Sequence, residues 1–316
     1  MRIIHKTTDI TELVEVARWS GDSKQVARVL NLTVVASPTD KNIPNIHFKM
    51  GDSVFLRDNK GKEYFRGYVF TKDKSIESNT MSITCYDGLI YLLKSKGTYN
   101  FKNVTPGAIT KRLCREFGIA EGSIINGSPI RRIFDAESIY NIIMTAYTLE
   151  SRRTGRMYMP KMSMGRLSII EKGRTVAKYE LDAKTSITNS SYGESIESSV
   201  NRVKMYDEDN KYLGQVTLGG VPGILQDVYK KAKGENANQA ARSMLKGIEK
   251  TADVTALGDF DCVTGNAVVI REPHTGLNGL FFIESDEHTF QDGQHTMKLG
   301  LAFKNVMDEQ TGGEAD

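Results

Sequence analysis

With 316 residues, 39% of them hydrophobic and 26% charged, the chain has the length for two or three domains and a globular composition, which excludes a fibrous or wholly disordered protein. Forty-two Lys and Arg against 39 Asp and Glu leave a net charge of only +3, which excludes a polycation. No apolar stretch is long enough to span a bilayer, and the opening MRIIHKTTDITELVEV has neither a continuous apolar run nor a small-residue cleavage site, so the expectation is a chain made and kept in a cytoplasm.

The first hundred residues are strand-rich. RVLNLTVVA and DSVFLRD alternate or run apolar, DNKGK is a turn signal, and YFRGYVF and MSITCYDG continue a meander. Thr105-Pro106 then reads as a cap followed by Pro at the first helical position, with Ile109, Leu113 and Phe117 on one face and Gly118 ending the helix. Asp135 is expected to cap a second helix striped by Ile139, Ile142, Ile143, Ala146 and Leu149. GRMYMPKMSMGRLSIIEKGR reads as two strands turning near Ser163 to Gly165, so the middle part is α+β. A further strand pair follows with Asp-Asn at its turn, where Asp207 and Asp209 are solvated. A helix over about 224–250, weakened near Gly234 and resuming with Ala240, Ala241, Met244, Leu245 and Ile248, connects to a last all-β stretch and a flexible acidic tail. Cys85, Cys114 and Cys262 are odd in number and far apart, and read as reduced thiols packed in strands or a helix.

The most informative feature is an internal repeat. GDSVFLRD (Gly51 to Asp58) and GNAVVIRE (Gly265 to Glu272) match position by position, and each is followed by a glycine-led strand, GYVF from Gly67 and GLFF from Gly279. Each ends in a third strand, TMSITCY from Thr80 and TMKLGLAF from Thr296. Two copies of one β-meander have this pattern.

Candidate chemistry is sparse. In FFIESDEHTFQDGQHTMKLGLAF, Asp292-Gly293 supplies a two-residue type I′ hairpin loop that pairs Gln291 with Gln294, Phe290 with His295 and His288 with Met297. That places Glu284, Asp286, His288, Phe290, His295 and Met297 on one face, with Ile283, Thr289, Thr296 and Lys298 on the other, as suits a sheet partly covered by another chain. His288 and His295 are candidate metal ligands, but two histidines without a fixed third ligand fall short of a zinc set, and the other copy has only the neighbourhood of Ile76 and Asn79 there, so satisfied surface or interface histidines are the simpler reading. No nucleophile elbow, phosphate loop or dinucleotide motif occurs, and GGVPG at Gly219 to Gly223 is a plain turn. Basicity is concentrated between Tyr99 and Lys184, with 15 Lys and Arg against 8 Asp and Glu. Arg112, Arg115, Arg131, Arg132, Arg152 and Arg153 there are candidate contacts for a polyanion or a protein partner.

The segments WSGDSKQVARVLNLTVV, GDSVFLRDNKGKEYFRGYVF, CYDGLIYLLKS, VNRVKMYDEDN, GILQDVYKK and GLNGLFFIESDEHTFQDGQHTMKLGLAF, in this order, resemble the XkdQ/YqbQ-like family of phage tail baseplate hubs. TLGGVPG departs from the family, which has a longer polar segment there. The resemblance implies an α+β fold in which two similar β-barrel or meander domains form a ring on trimerisation around a mixed α+β middle domain. The expected boundaries are 1–98, 99–190 and 191–308, with a tail at 309–316. It further implies a non-enzymatic homotrimer without cofactor, in the baseplate of a virion or bacteriocin-like particle, adapting a six-fold tail tube to a three-fold spike. Implied partners are the central spike, the tube or tube initiator, a LysM-type adaptor, wedge and tape-measure proteins, with nucleic acid only passing through the channel and no membrane insertion. Gly51, Val54, Arg57, Gly67, Gly265, Val268, Arg271 and Gly279 are the ring-forming candidates. The rival readings are a tail-associated cell-wall hydrolase and a nucleic-acid-binding module.

Overall fold

Alternation of apolar residues turns two stretches of the chain into the same five-stranded meander. In the first, Ser53–Arg57 pairs with Glu63–Lys74, followed across the sheet by Thr80–Tyr86, Val29–Val35 and Val14–Asp22. In the second, Ala267–Glu272, Leu277–Gln291, Gln294–Ala302, Glu249–Leu257 and Ile187–Ser195 follow in the same order. These observations come from a computed structural model that describes residues 1–24, 26–37, 42–44, 46–74, 79–231 and 236–314. The fold is mostly β, with a curled sheet, where an α+β fold with two β meanders and a mixed middle domain was expected. It divides into two compact units, residues 1–190 with 253–316, and residues 191–252.

Register confirms the repeat in detail. Val54 lies opposite Gly67 and Val268 opposite Phe281, while Tyr68 lies opposite Tyr86 and Phe282 opposite Ala302. Both ladders then slip by one residue at the same place, between Val69 and Thr71 and between Ile283 and Ser285. Ala36 N–H donates to Asn79 O at 2.8 Å, and Gly258 N–H donates to His295 O at 2.8 Å. Val54, Leu56, Val69, Met81 and Ile83 therefore correspond to Val268, Ile270, Ile283, Met297 and Leu299, and none of the ten is more than 2% exposed. The expected matches of Val54 with Val268 and Arg57 with Arg271 hold, but Gly67 corresponds to Phe281, not to Gly279.

The two glycines serve different needs. A Cβ on Gly67 would lie 2.5 Å from Tyr86 O and 2.4 Å from the Phe65 ring, whereas Gly279 has φ +135° and open space beside it. The bulge also corrects the assignment of faces: by leaving Glu284 out of register it returns Ile283 to the buried face that Asp286 and His288 occupy.

The strands of the two meanders form one sheet, because Val14–Asp22 also pairs antiparallel with the second half of Leu277–Gln291, from Ser285 opposite Asp22 to Gln291 opposite Val16. Between the meanders in the chain lie three helices, α1 (Leu89–Lys94), α2 (Pro106–Glu116) and α3 (Ile139–Thr154), together with the antiparallel pair Lys96–Val104 and Ile130–Ser138 and the hairpin Tyr158–Ser163 with Arg166–Glu171. Their core includes Phe101, Ile109, Leu113, Phe134, Ile142 and Tyr147. Thr105 caps α2 as expected, its side chain accepting from Ala108 N–H, but α3 is capped by Ser138, which accepts from Asn141 N–H. Asp135 lies instead in the strand Ile130–Ser138, where Thr98 donates to it, because that strand runs on until helical geometry begins at Ile139. Cys85 and Cys114 sit in a strand and a helix, whereas Cys262 is buried in a loop.

The acidic tail is not loose as far as Glu314. Tyr140 donates to Asp308, Arg152 pairs with Glu309 at 2.8 Å, the Thr148 and Thr145 hydroxyls accept from Gln310 and Gly312 N–H, and Glu314 bridges Ile133. Residues 315 and 316 lie outside the described residues.

In the smaller unit, Arg202–Tyr206 is flanked by Tyr212–Thr217, antiparallel, and Gln226–Lys230, parallel, with α4 (Ala237–Ser243) packed through Ala241 onto Val203, Met205 and Val216. The helix expected over about 224–250 is thus a strand followed by a seven-residue helix. Strand pairing overrides the helical stripe: Ile224, Val228 and Ile248 are 61%, 46% and 40% exposed, so they form no buried helical face. Gly234 lies outside the described residues.

Gly67→Ala should lower stability by about 2 kcal/mol, since the added Cβ meets the Tyr86 carbonyl as well as the buried Phe65 ring. A urea midpoint unchanged from the natural chain would show that the strands do not approach this closely.

Candidate functional site: the seam between the meanders

The residues singled out on the C-terminal hairpin meet at the seam where the two meanders pair. Asp292 and Gly293 have φ +52° and +74°, which closes the two-residue loop and sets Phe290 opposite His295 and His288 opposite Met297, as expected. On its other edge, His288 lies opposite Trp19.

Asp286 sits at the centre, its side chain fully buried and accepting from Arg28 Nη1 at 2.9 Å and Nη2 at 2.5 Å, and from Thr264 N–H at 2.7 Å and Oγ1–H at 2.6 Å. Burial alone raises its carboxyl, but Arg28 outweighs that and holds it below the usual carboxylate range. The Arg28 guanidinium also lies 4.0 Å from the Trp19 ring centroid, and its backbone N–H donates to Asp87 at 3.2 Å.

His288 is 0% exposed. Its Nε2 lies 3.1 Å from Cys262 O, and since a carbonyl only accepts, Nε2 carries the proton. Nδ1 is left to accept from His295 Nε2–H at 3.0 Å, and Phe260 covers His295 with ring centroids 4.9 Å apart. Burial pushes His288 down to about 4 and His295 down to about 3, so both are neutral at pH 7. The cover over the hairpin is therefore the chain's own segment Asp259–Asn266, not a second chain, and His288 is a core histidine rather than a surface or interface one. Among the described residues no group of three or more His, Cys, Asp and Glu is placed to hold a metal ion. Burial raises the Cys262 thiol to about 12 and lowers Lys161, near Arg28, to about 8. Asp286, His288 and the two terminal nitrogens of Arg28 are thus engaged in holding two strands and a covering loop together, while Arg28 Nε and Trp19 Nε1 are buried without a hydrogen-bond partner among the described residues.

The other candidates are dispersed. Val54 and Val268 are buried in their own meanders. Gly51 and Gly265 hold positive-φ turns (+82° and +89°). Arg57 pairs with Glu63 at 3.5 Å and Arg271 with Glu180 at 2.9 Å. Of the basic set, Arg153 pairs with Glu150 at 2.7 Å, Arg115 with Glu121 at 3.7 Å, and Arg132 donates to Gly313 O at 2.7 Å. Arg112 lies over Tyr99 and Phe101, and Arg131 is exposed on its strand. Arg28 and Thr264 were not legible as partners of Asp286, because nothing local marks contacts 258 and 22 residues away.

A family model described as YQBQ-like matches residues 17–302. YqbQ of Bacillus subtilis (strain 168), described as uncharacterized, is 30% identical over 95% of each chain. XkdQ, a protein of the phage-like element PBSX of the same organism, is 29% identical over 96% of this chain and 97% of its own. Among solved structures, the 43 kDa tail protein of prophage MuSo2 from Shewanella oneidensis superposes with a TM-score of 0.75 at 15% identity, over 95% of this chain and 97% of that one. The c3393 protein of E. coli, a type VI secretion component with structural similarity to the phage T4 tail proteins gp27 and gp5, has a TM-score of 0.56 at 8% identity, over 96% and 76%. These likenesses place the chain in a phage-tail fold, and none of the four is described as an enzyme.

Because the folded chain holds both seam histidines neutral while the unfolded chain protonates them near 6.5, their contribution is complete above pH 6.5 and is lost as pH falls toward 4. Asp87, which burial raises to about 7, titrates with the opposite sign in that window, so the histidine share is the difference between the natural chain and a His288→Gln/His295→Asn variant. That difference should shrink by on the order of 2 kcal/mol between pH 7 and pH 4.5 in urea titrations. A constant difference would mean that the histidines are solvated.

Proposed function

The chain belongs to the YQBQ-like family, and from that membership and the duplicated meander we propose that it is the structural baseplate hub of a contractile tail, a homotrimer that adapts the six-fold tail tube to the three-fold central spike. The observation that carries the reading is the repeat itself: two meanders in one chain, alike in strand order, register and bulge. Three such chains present six near-equivalent units, which meet a six-fold ring on one side while the trimer meets a three-fold body on the other. The seam supports it, since a buried polar cluster in which Asp286 and His288 are both hydrogen-bonded holds the two meanders in fixed register. The basic middle segment fits a partner surface better than a polyanion track, because Arg115, Arg132, Arg152 and Arg153 are engaged with the chain's own carboxylates and carbonyls.

In this reading the chain sits in the baseplate of a virion or tail-like particle, between the spike and the tube or tube initiator, near LysM-type adaptor, wedge and tape-measure proteins. The purified chain should form a species of three times its 35.2 kDa mass by mass photometry, and cells lacking it should make no tails with baseplates. Normal particles assembled without it would overturn the hub role.

A further inference from the structure

The seam between the meanders uses an arrangement that recurs, unfilled, at two other edges. Leu277–Gln291 is paired by Ala267–Glu272 only along its first half, and the rest of that edge, Ser285 to Gln291, is taken by Val14–Asp22. The counterpart in the first meander, Glu63–Lys74, is paired by Ser53–Arg57 only as far as Tyr68. Beyond the bulge, Thr71 to Lys74 are exposed, with no strand on that edge among the described residues.

The complementary piece is also present. Ile187–Ser195 occupies in the second meander the place of Val14–Asp22, and ends the sheet with Glu249–Leu257 as its strand neighbour. Leu257 N–H donates to Ser186 O at 2.9 Å, so by alternation residues 188 and 190 face Glu249–Leu257, while 187, 189, 191 and 193 turn their N–H and C=O groups outward. This nine-residue strand contains no proline or lysine that would blunt an edge.

We propose that Ile187–Ser195 of one protomer adds antiparallel to Thr71–Lys74 of a second copy, repeating between chains the seam that joins the two meanders within one. The proposal rests on the hub reading and specifies the contact that closes its ring. The in-chain seam fixes the register. Ala17 lies opposite Leu32, and the Leu257–Ser186 bond sets Asn189 opposite Val254, the counterpart of Leu32, so Ala17 corresponds to Asn189. Carrying over the pairs Ser285–Asp22 and Glu287–Ser20 sets Thr71 opposite Glu194 and Asp73 opposite Tyr192. In this register Lys72 takes the place of Asp286 opposite Gly193, and Glu194, paired in its own chain with Lys250 at 3.2 Å, shares a face with Thr71 and Asp73.

The full-length chain carrying Asp73→Cys and Tyr192→Cys tests this, because Cys85, Cys114 and Cys262 are buried. Under mild oxidation the double variant should give linked dimers and trimers on a non-reducing gel, and each single variant only monomers. Ser191→Pro removes the outward N–H opposite Lys74 without touching the ladder to Glu249–Leu257, and should weaken trimerisation at least tenfold while circular dichroism and monomer melting stay unchanged. Trimers that form normally with Ser191→Pro and link at none of the pairs between 71–74 and 191–194 would overturn this contact and leave the hub reading standing. A natural chain that stays monomeric at all concentrations would overturn both.

Discussion

The arrangement of the two meanders depends on one buried ion pair, Arg28 with Asp286. Asp286 is wholly withdrawn from water and Arg28 nearly so. Taking such charges out of water costs several kcal/mol each, and the cost is offset only where geometry and additional hydrogen bonds are complete. Here they are complete around the carboxylate, with two bonds from the guanidinium and two from Thr264. The consequence is specificity of register. A slip of one residue between Val14–Asp22 and Leu277–Gln291 would carry Asp286 to the opposite face and leave Arg28 without its partner, a loss of about 3–5 kcal/mol. Trp19, its ring centroid 4.0 Å from the Arg28 guanidinium, and His288, 5.1 Å from Trp19, keep water from relieving that penalty.

Around this pair the duplication acquires a mechanical meaning. Two units that share strand order, register and the position of a bulge present two similarly curved surfaces, and the bulge sets that curvature by increasing local twist. What differs between the copies lies at their margins. His295 stands where the first copy has Asn79, and His288 where it has Lys74, so the histidine pair is an addition to the second copy, made where its hairpin lies beneath Phe260 and Cys262. The meander itself is built without it.

Much of this was legible in the sequence, for identifiable reasons. The Asp292-Gly293 turn admits few alternatives, so the hairpin register could be read residue by residue. The repeat was legible because Val54, Met81 and Ile83 are apolar for the same steric reason as Val268, Met297 and Leu299. The glycine match failed because Gly67 answers to a close approach of backbone and Gly279 to a positive φ, and one letter serves both. The segment 224–250 was misread because LQDVYK fits a helical stripe as well as a strand, and only its partner Arg202–Tyr206 decides. The tail was taken as loose on its composition, although its contacts with Tyr140, Thr145 and Thr148 come from a helix more than 150 residues away. Arg28 carried no signal at all, since the need for it arises only once Asp286 is buried.

The central claim is that one chain supplies two equivalent sixths of a ring. A reconstruction of the trimer or of the baseplate by electron cryo-microscopy tests it most directly. The account predicts six β lobes around a channel, with the first meander superposing on the second after a rotation of about 60° at the same height along the axis. Two meanders at different heights, or three lobes instead of six, would contradict it.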